Sequence, residues 1–146
     1  MSEPQFSRET IYAALFSLAS NAAGFVTKTR RIKEYADVDS ATQPAILQVE
    51  LGEKWDAPVG QPPVVTLAAR LFIYCESNDP TAPASTQINT LLDAVTNALA
   101  STSWQNFRQT LGGLVQHARI AGEVTIAEGL SGQSEAILPI EILVNP

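Results

Sequence analysis

The spacing of apolar residues predicts two helices, at residues 7–22 and 87–100. In both stretches apolar side chains recur at intervals of three and four residues, which places them on one face of a helix. Ser7 suits the N-cap of the first helix, because its hydroxyl can accept from the first turn, and Gly24 suits the stop. The second helix has the clearest period, carried by Ile88, Leu91, Leu92, Val95 and Leu99.

Alternation of apolar and polar residues predicts five strands, at residues 25–35, 45–51, 64–76, 114–127 and 134–144. The third is long and almost continuously apolar, which is typical of a central strand. The first has basic side chains on both faces, which favours an exposed or edge position. Pro139 has no backbone N–H, so the last strand is expected at a sheet edge or with a bulge.

The order of these elements is α-β-β-β-α-β-β. It predicts one α+β domain over residues 1–146, in which two main helices pack on a mixed, mostly antiparallel sheet of about five strands. Between the second and third strands, residues 52–63 contain two glycines and three prolines. This segment is predicted to be a long hairpin loop, and loops of this length are usually functional or disordered.

Composition limits the classes of partner. The net charge of −6 argues against general affinity for nucleic acid, which requires a dense basic surface. Only 16% of residues are charged, which is consistent with a surface partly covered by assembly. Cys75 is the one cysteine, so no intramolecular disulfide or multi-cysteine metal cluster is expected, as in a reducing cytoplasm. No signal peptide or membrane span is predicted.

The segment QTLGGLVQHARIAG, residues 109–122, contains a glycine pair and the one histidine of the chain. It does not have the spacing of a P-loop or of a dinucleotide-binding loop, and it leads into a predicted strand. We therefore interpret the pair as a turn. A lone His117 cannot form a two-histidine metal site. Arg119 and Glu123, which are expected on the same strand face as His117, are ordinary solvent or interface residues. Neither catalysis nor a metal or cofactor site is predicted.

Charged and aromatic residues remain as candidates for contacts with partners. The basic run Lys28, Arg30, Arg31 and Lys33 alternates across a strand, so it is either solvated or one side of a charged subunit interface. The acidic positions Glu50, Glu53 and Asp56 could form the complementary side. Trp55, beside Lys54, is either an exposed interface anchor or folded back onto its own domain.

The segments QPAILQVEL, LAARLFIYCE, INTLLDAVTNALA and QTLGGLVQHARIAGEVTIAEG, followed by an apolar C-terminal strand, resemble tail terminator proteins of long-tailed bacteriophages over roughly residues 8–145. These are also called tail completion or minor tail proteins. The resemblance implies a structural protein without enzymatic activity or cofactor. It would form a homohexameric ring at the head-proximal end of the virion tail, after assembly in the host cytoplasm.

The same resemblance implies three partners: further copies of the chain, the tail tube protein and the head–tail connector protein. The ring would end tube polymerisation and offer a surface for head attachment. Neither a membrane nor specific nucleic acid is an expected partner. The candidate residues for subunit or tail-tube contacts are Lys28, Arg30, Arg31, Lys54, Trp55, His117, Arg119 and Glu123.

Three other interpretations stay open from the sequence. A head–tail joining or head-completion protein of the virion neck has similar size and symmetry. A small hydrolase or ligand-binding domain would need a cleft with convergent polar groups. An oligomeric scaffold unrelated to phages would have no distinguishing motif.

Overall fold

The computed structural model describes residues 6–77, 81, 83, 85–100, 108–130 and 132–144. Two helices and six strands follow one another along the chain, with two short 3₁₀ turns after the first strand. Their bounds are α1 (Arg8–Ser20), β1 (Thr27–Thr29), the turns Tyr35–Asp37 and Ser40–Thr42, β2 (Ala45–Asp56), β3 (Val64–Glu76), α2 (Ser85–Ala98), β4 (His117–Ile120), β5 (Thr125–Glu128) and β6 (Gln133–Val144).

The strands form one mixed sheet in the order β1-β2-β3-β6-β4, and β5 also pairs with β6. Only the pair β1–β2 is parallel, and the other pairs are antiparallel. Strands β3 and β6 form the centre, paired from Val65 with Val144 to Glu76 with Gln133. The predicted α+β class, with two helices on a mixed and mostly antiparallel sheet, is confirmed.

Both helices lie on one face of the sheet, where they cover the core. Every second residue of β3 and β6 is buried there, as the alternation predicted. Ser7 caps α1 as expected, because its hydroxyl accepts from the backbone N–H of Thr10 at 3.2 Å. The core side chains include Ile11 and Leu15 of α1, Ile88, Leu91 and Val95 of α2, and Leu67, Leu71, Ile73, Leu138, Ile140 and Ile142 of the sheet.

The opposite face, called the outer face below, is covered at one end by the segment between β1 and β2. Val38 is buried there against Ala45, Leu47 and Tyr74. Tyr74 donates to the backbone oxygen of Lys33 at 2.8 Å, which fixes the segment across the sheet. Burial raises the pKa of Tyr74 to about 12, so this hydroxyl remains a donor at neutral pH.

The prediction of a strand over residues 25–35 is wrong beyond three residues. Strand β1 is limited to Thr27–Thr29. After it the chain leaves the edge, and Tyr35 donates from its hydroxyl to the backbone oxygen of Cys75 at 3.0 Å. These tyrosine hydrogen bonds hold residues 33–35 over the outer face, where they cannot continue a strand beside β2.

The single strand predicted over residues 114–127 is two strands, β4 and β5, separated by residues 121–124. The cause is Pro139 of β6, which directs its backbone toward this edge. Its oxygen accepts from Ala121 at 3.1 Å, but it has no N–H to donate in return. Strand β6 itself lies between β3 and the β4–β5 edge, so the edge or bulge predicted for it is also wrong.

In the hairpin between β2 and β3, strand β2 is longer and the connecting loop is shorter than predicted. Strand β2 continues to Asp56, with a shift of register between Glu50 and Gly52, and the connection is limited to residues 57–63. Lys54 and Trp55 therefore lie in a strand rather than in a loop. They pair with Thr66 and Val65 of β3, so their side chains point to opposite faces of the hairpin.

Candidate interaction surfaces

The exposed end of β2 is joined to the start of α1 by a polar and aromatic cluster. The Glu53 carboxylate accepts from the Arg8 guanidinium at 2.7 Å and from the Trp55 indole N–H at 2.6 Å. The Arg8 guanidinium lies 4.9 Å from the centre of the Phe6 ring, and that ring lies 6.4 Å from the Trp55 ring. Sequence spacing gave no sign that Phe6 and Arg8 belong here, because the contacts join segments about 45 residues apart.

The interpretation that Trp55 folds back onto its own domain is confirmed in part, and its interpretation as an interface anchor stays a prediction. Its ring contacts Phe6 and its N–H is held by Glu53, so it folds back onto its own domain. It nevertheless remains 49% exposed. A half-exposed aromatic ring with a fixed orientation loses little entropy on binding, so Trp55 stays a candidate interface residue.

Arg30 pairs within the chain with Glu50, a member of the predicted acidic set, and with Glu9, which the sequence did not indicate. Its guanidinium donates to Glu9 at 2.6 and 2.9 Å and to Glu50 at 2.8 Å. The hydrogen bonds from Arg30 lower the pKa of Glu9. Since Arg30 and Glu50 are already paired here, the charge pair considered for a subunit interface is at least partly used inside the domain.

The acidity of Glu53 gives a testable pH dependence. The hydrogen bond from Arg8, followed by that from Trp55, lowers the pKa of Glu53 from 4.5 to about 2. A carboxylate more acidic in the folded state stabilises the fold above pH 4.5, and that stabilisation is lost as the pH falls toward 2. Thermal unfolding of Glu53→Gln should therefore occur below the wild-type temperature at pH 6, with the difference disappearing near pH 2.

The control for this titration is Asp93→Asn, which removes an exposed carboxylate of α2 that forms no ion pair within the described residues. It is expected to keep the wild-type pH dependence. A difference between Glu53→Gln and wild type that stayed constant from pH 6 to pH 2 would contradict the assigned ion pair.

The glycine pair forms a turn, as predicted. Gly112 and Gly113 have φ values of +74° and +92°, and the backbone N–H groups of Gly113 and Val115 both donate to the Thr110 oxygen. Strand β4 begins four residues after the pair, at His117. The turn therefore directs the chain back to β6 rather than opening a helix.

His117 is oriented by the backbone. Its Nδ1 accepts from the N–H of Gln109 at 3.1 Å, which leaves the proton of the neutral ring on Nε2. Burial, with a smaller contribution from Arg119 and Arg108, lowers its pKa. A catalytic relay requires a carboxylate on Nδ1. Since a backbone N–H occupies that position, the geometry does not support such a relay.

Arg119 lies beside His117 on the outer face, but Glu123 does not. Arg119 donates to Glu141 of β6 at 3.3 Å. Glu123 lies in the connection after β4, where it is exposed. His117, Arg119 and Glu141 line a depression of about 120 Å³ together with Thr66 and Leu143. The expectation that Glu123 shares a strand face with His117 and Arg119 is therefore wrong, because the strand ends at Ile120.

The remainder of the outer face carries apolar side chains interspersed with polar ones. Along β3 and β6 most of its side chains are half-buried, and Arg70 and Gln133 are exposed. The face displays Val49, Ala68, Phe72, Ile137, Pro139 and Leu143. Lys54 stands at its border, opposite Thr66.

The structure also bears on three other kinds of site: a cysteine nucleophile, a metal site and a membrane-spanning helix. Cys75 is buried, and burial raises its pKa to about 11, so the thiol is poorly suited to act as a nucleophile. The described part of the chain contains no group of three or more His, Cys, Asp or Glu residues positioned to hold a metal ion. None of its helices is long and apolar enough to cross a membrane.

Comparison with models of known protein families gives no match, and comparison with curated protein sequences gives none either. The surfaces of the domain that could contact a partner are the outer face, the Phe6–Arg8–Glu53–Trp55 cluster and the two edges of the sheet.

Proposed function

We propose that this chain is a structural virion protein that caps a phage tail tube as a ring. In this function it ends tube polymerisation and offers a surface for head attachment, in keeping with the resemblance of its segments to tail terminator proteins. The observation that carries the proposal is the apolar outer face of the sheet, to which we assign the contact with the tail tube protein.

The composition of this face supports the assignment. An antiparallel sheet that faces water usually alternates apolar residues on the core side with polar residues on the other. Here the second side also carries half-buried apolar residues, with Phe72 and Ile137 paired near its middle and Leu143 near one end. Apolar side chains that remain partly exposed on a sheet face can be covered by a partner protein, as at many interaction sites. A protein surface therefore fits this face better than solvent does.

The β2–β3 hairpin extends the same surface. Residues 51–62 are all exposed, and Lys54 continues the outer face toward the hairpin end. The ion pair between Arg8 and Glu53 holds the base of the hairpin against α1. A hairpin fixed in this way can reach a neighbouring protein without losing its own orientation on binding.

The test is a capping assay with isolated tail tubes. Wild-type protein is expected to form a ring at one tube end and to stop extension by added tube protein, as seen by electron microscopy. Ile137→Lys places a charge in the apolar centre of the outer face and should weaken capping at least about tenfold, because a desolvated unpaired charge costs several kcal/mol. Thr96→Lys on the exposed side of α2 is the matched control and should cap normally.

Two results would count against the proposal. Wild-type protein that leaves tube growth unchanged would remove the terminator function. Protein located in the neck of intact particles, with no contact to the tube end, would instead assign it to head–tail joining. Equal capping by Ile137→Lys and wild type would show that the outer face is not the tube contact.

A further inference from the structure

The sheet ends in two different edges that carry opposite charge. On one side β1 is the outermost strand, and Lys28 and Arg31 are exposed beside it. On the other side β4 and β5 are outermost; Glu123 is exposed two residues before β5 and Glu128 is exposed at its end, while Arg119 of β4 is paired with Glu141. None of the four exposed residues forms an ion pair with another described residue.

Both edges also expose apolar side chains next to their charges. Val26 and Ile32 flank β1 and are more than half exposed. Val124 and Ile126 lie at β5 and are also exposed. Within the described residues, β1 has only β2 as a strand partner and β5 has only β6, so one side of each short strand is left without a strand partner.

We propose that β5 of one copy pairs with β1 of the next copy, so that the sheets of neighbouring subunits are joined edge to edge. The occupant of each edge is thus a second copy of this chain. The inference depends on the proposed ring and specifies its subunit contact. The contact is heterologous, since the two edges differ, and a heterologous contact closes into a ring when the rotation between subunits permits it.

Charge determines which edges can meet. Two β1 edges would bring Lys28 and Arg31 against their own copies, and two β5 edges would do the same with Glu123 and Glu128. Like charges across a strand pair are destabilising, whereas opposite charges stabilise it. A lysine on an edge strand also deters pairing with neutral or basic strands. The arrangement therefore selects the β1–β5 pair and disfavours a symmetric dimer.

The test is an exchange of charges between the two edges. The first variant, Glu123→Lys with Glu128→Lys, makes both edges basic. The second variant, Lys28→Glu with Arg31→Glu, makes both edges acidic. Each alone should associate at least about tenfold more weakly than wild type in sedimentation velocity, because every contact now joins like charges. An equimolar mixture should regain wild-type association, since alternating subunits restore opposite charges at every contact.

Two controls separate this effect from damage to the fold. The variant with all four substitutions has both edges inverted and should associate like wild type. Asp93→Lys with Thr96→Lys adds positive charge to the exposed side of α2 and should leave association unchanged. Wild type that stays monomeric at the highest accessible concentration would overturn the inference. So would single-edge variants that associate normally, or a mixture that fails to recover.

The outcome is distinguishable from that of the capping assay. If association recovers on mixing but the wild type does not cap tail tubes, the edge contact is supported and the proposed function is contradicted. Normal capping by both single-edge variants would keep the function and remove the edge contact.

Discussion

Leu71→Ala is expected to lower the free energy of unfolding by about 2–5 kcal/mol, which is a large part of the stability of a domain of this size. Leu71 is fully buried at the middle of β3, opposite Gln48 of β2 and Leu138 of β6. Truncation removes apolar contacts and leaves a cavity, and regular strands on both sides restrict the collapse that could fill it. Urea denaturation followed by circular dichroism measures the loss.

Leu130→Ala removes the same atoms from a side chain that is fully exposed in the turn between β5 and β6. Its free energy of unfolding should stay within about 0.5 kcal/mol of wild type, as is usual for surface substitutions. Equal losses for the two variants would mean that β3 is not at the centre of the core, and would contradict the sheet order.

Gly132→Ala is expected to destabilise the fold by a comparable amount, about 2–5 kcal/mol. Gly132 has a φ of +81°, and an added Cβ would fall against the backbone oxygen of Ser77. The left-handed conformation costs an L-residue about 1–2 kcal/mol. Displacing a packed backbone costs about 1–3 kcal/mol more. The same displacement should weaken the hydrogen bond from Ser77 N–H to the Gly132 oxygen, which lies at the end of the β3–β6 pair.

Gly60→Ala is the matched control, because it separates the two costs. Gly60 has almost the same φ, +79°, but an added Cβ would meet no atom within 4 Å. It should therefore show only the conformational cost of about 1–2 kcal/mol. A loss for Gly132→Ala no greater than that for Gly60→Ala, again from urea denaturation, would show that the contact with Ser77 is not tight.

The sequence pattern was sufficient to predict the positions of residues whose environment depends on their own strand or helix. Burial of alternate residues in β3 and β6 follows from side chains pointing to opposite faces, so Leu71 and Ile140 could be placed in the core from sequence. The N-cap at Ser7 is equally local, because its hydrogen bond reaches only to Thr10. The turn at the glycine pair depends on two adjacent φ values.

The candidate surfaces depend on contacts between segments that are distant in sequence. The sequence indicated several of the residues involved, but not the residues that they contact. Arg30 and Glu50 were recognised as complementary, but their separation of 20 positions gave no indication that they pair within one chain. For Trp55 the sequence left two alternatives, exposure or contact with its own domain, and it did not indicate Glu53 and Phe6 as the contacts. The proline that divides β4 from β5 acts across the sheet, from Pro139 to Ala121.

The sequence by itself determined the α+β class, the order of the main elements, the inward faces of the two central strands and the turn that precedes β4. Each of these depends on periodicity or on the conformational preferences of neighbouring residues. Only the tertiary structure decided where strands end and what their edges present. Those features depend on backbone hydrogen bonds that join segments far apart in the chain, as when Tyr74 holds residue 33 over the sheet and Pro139 interrupts the strand beside it.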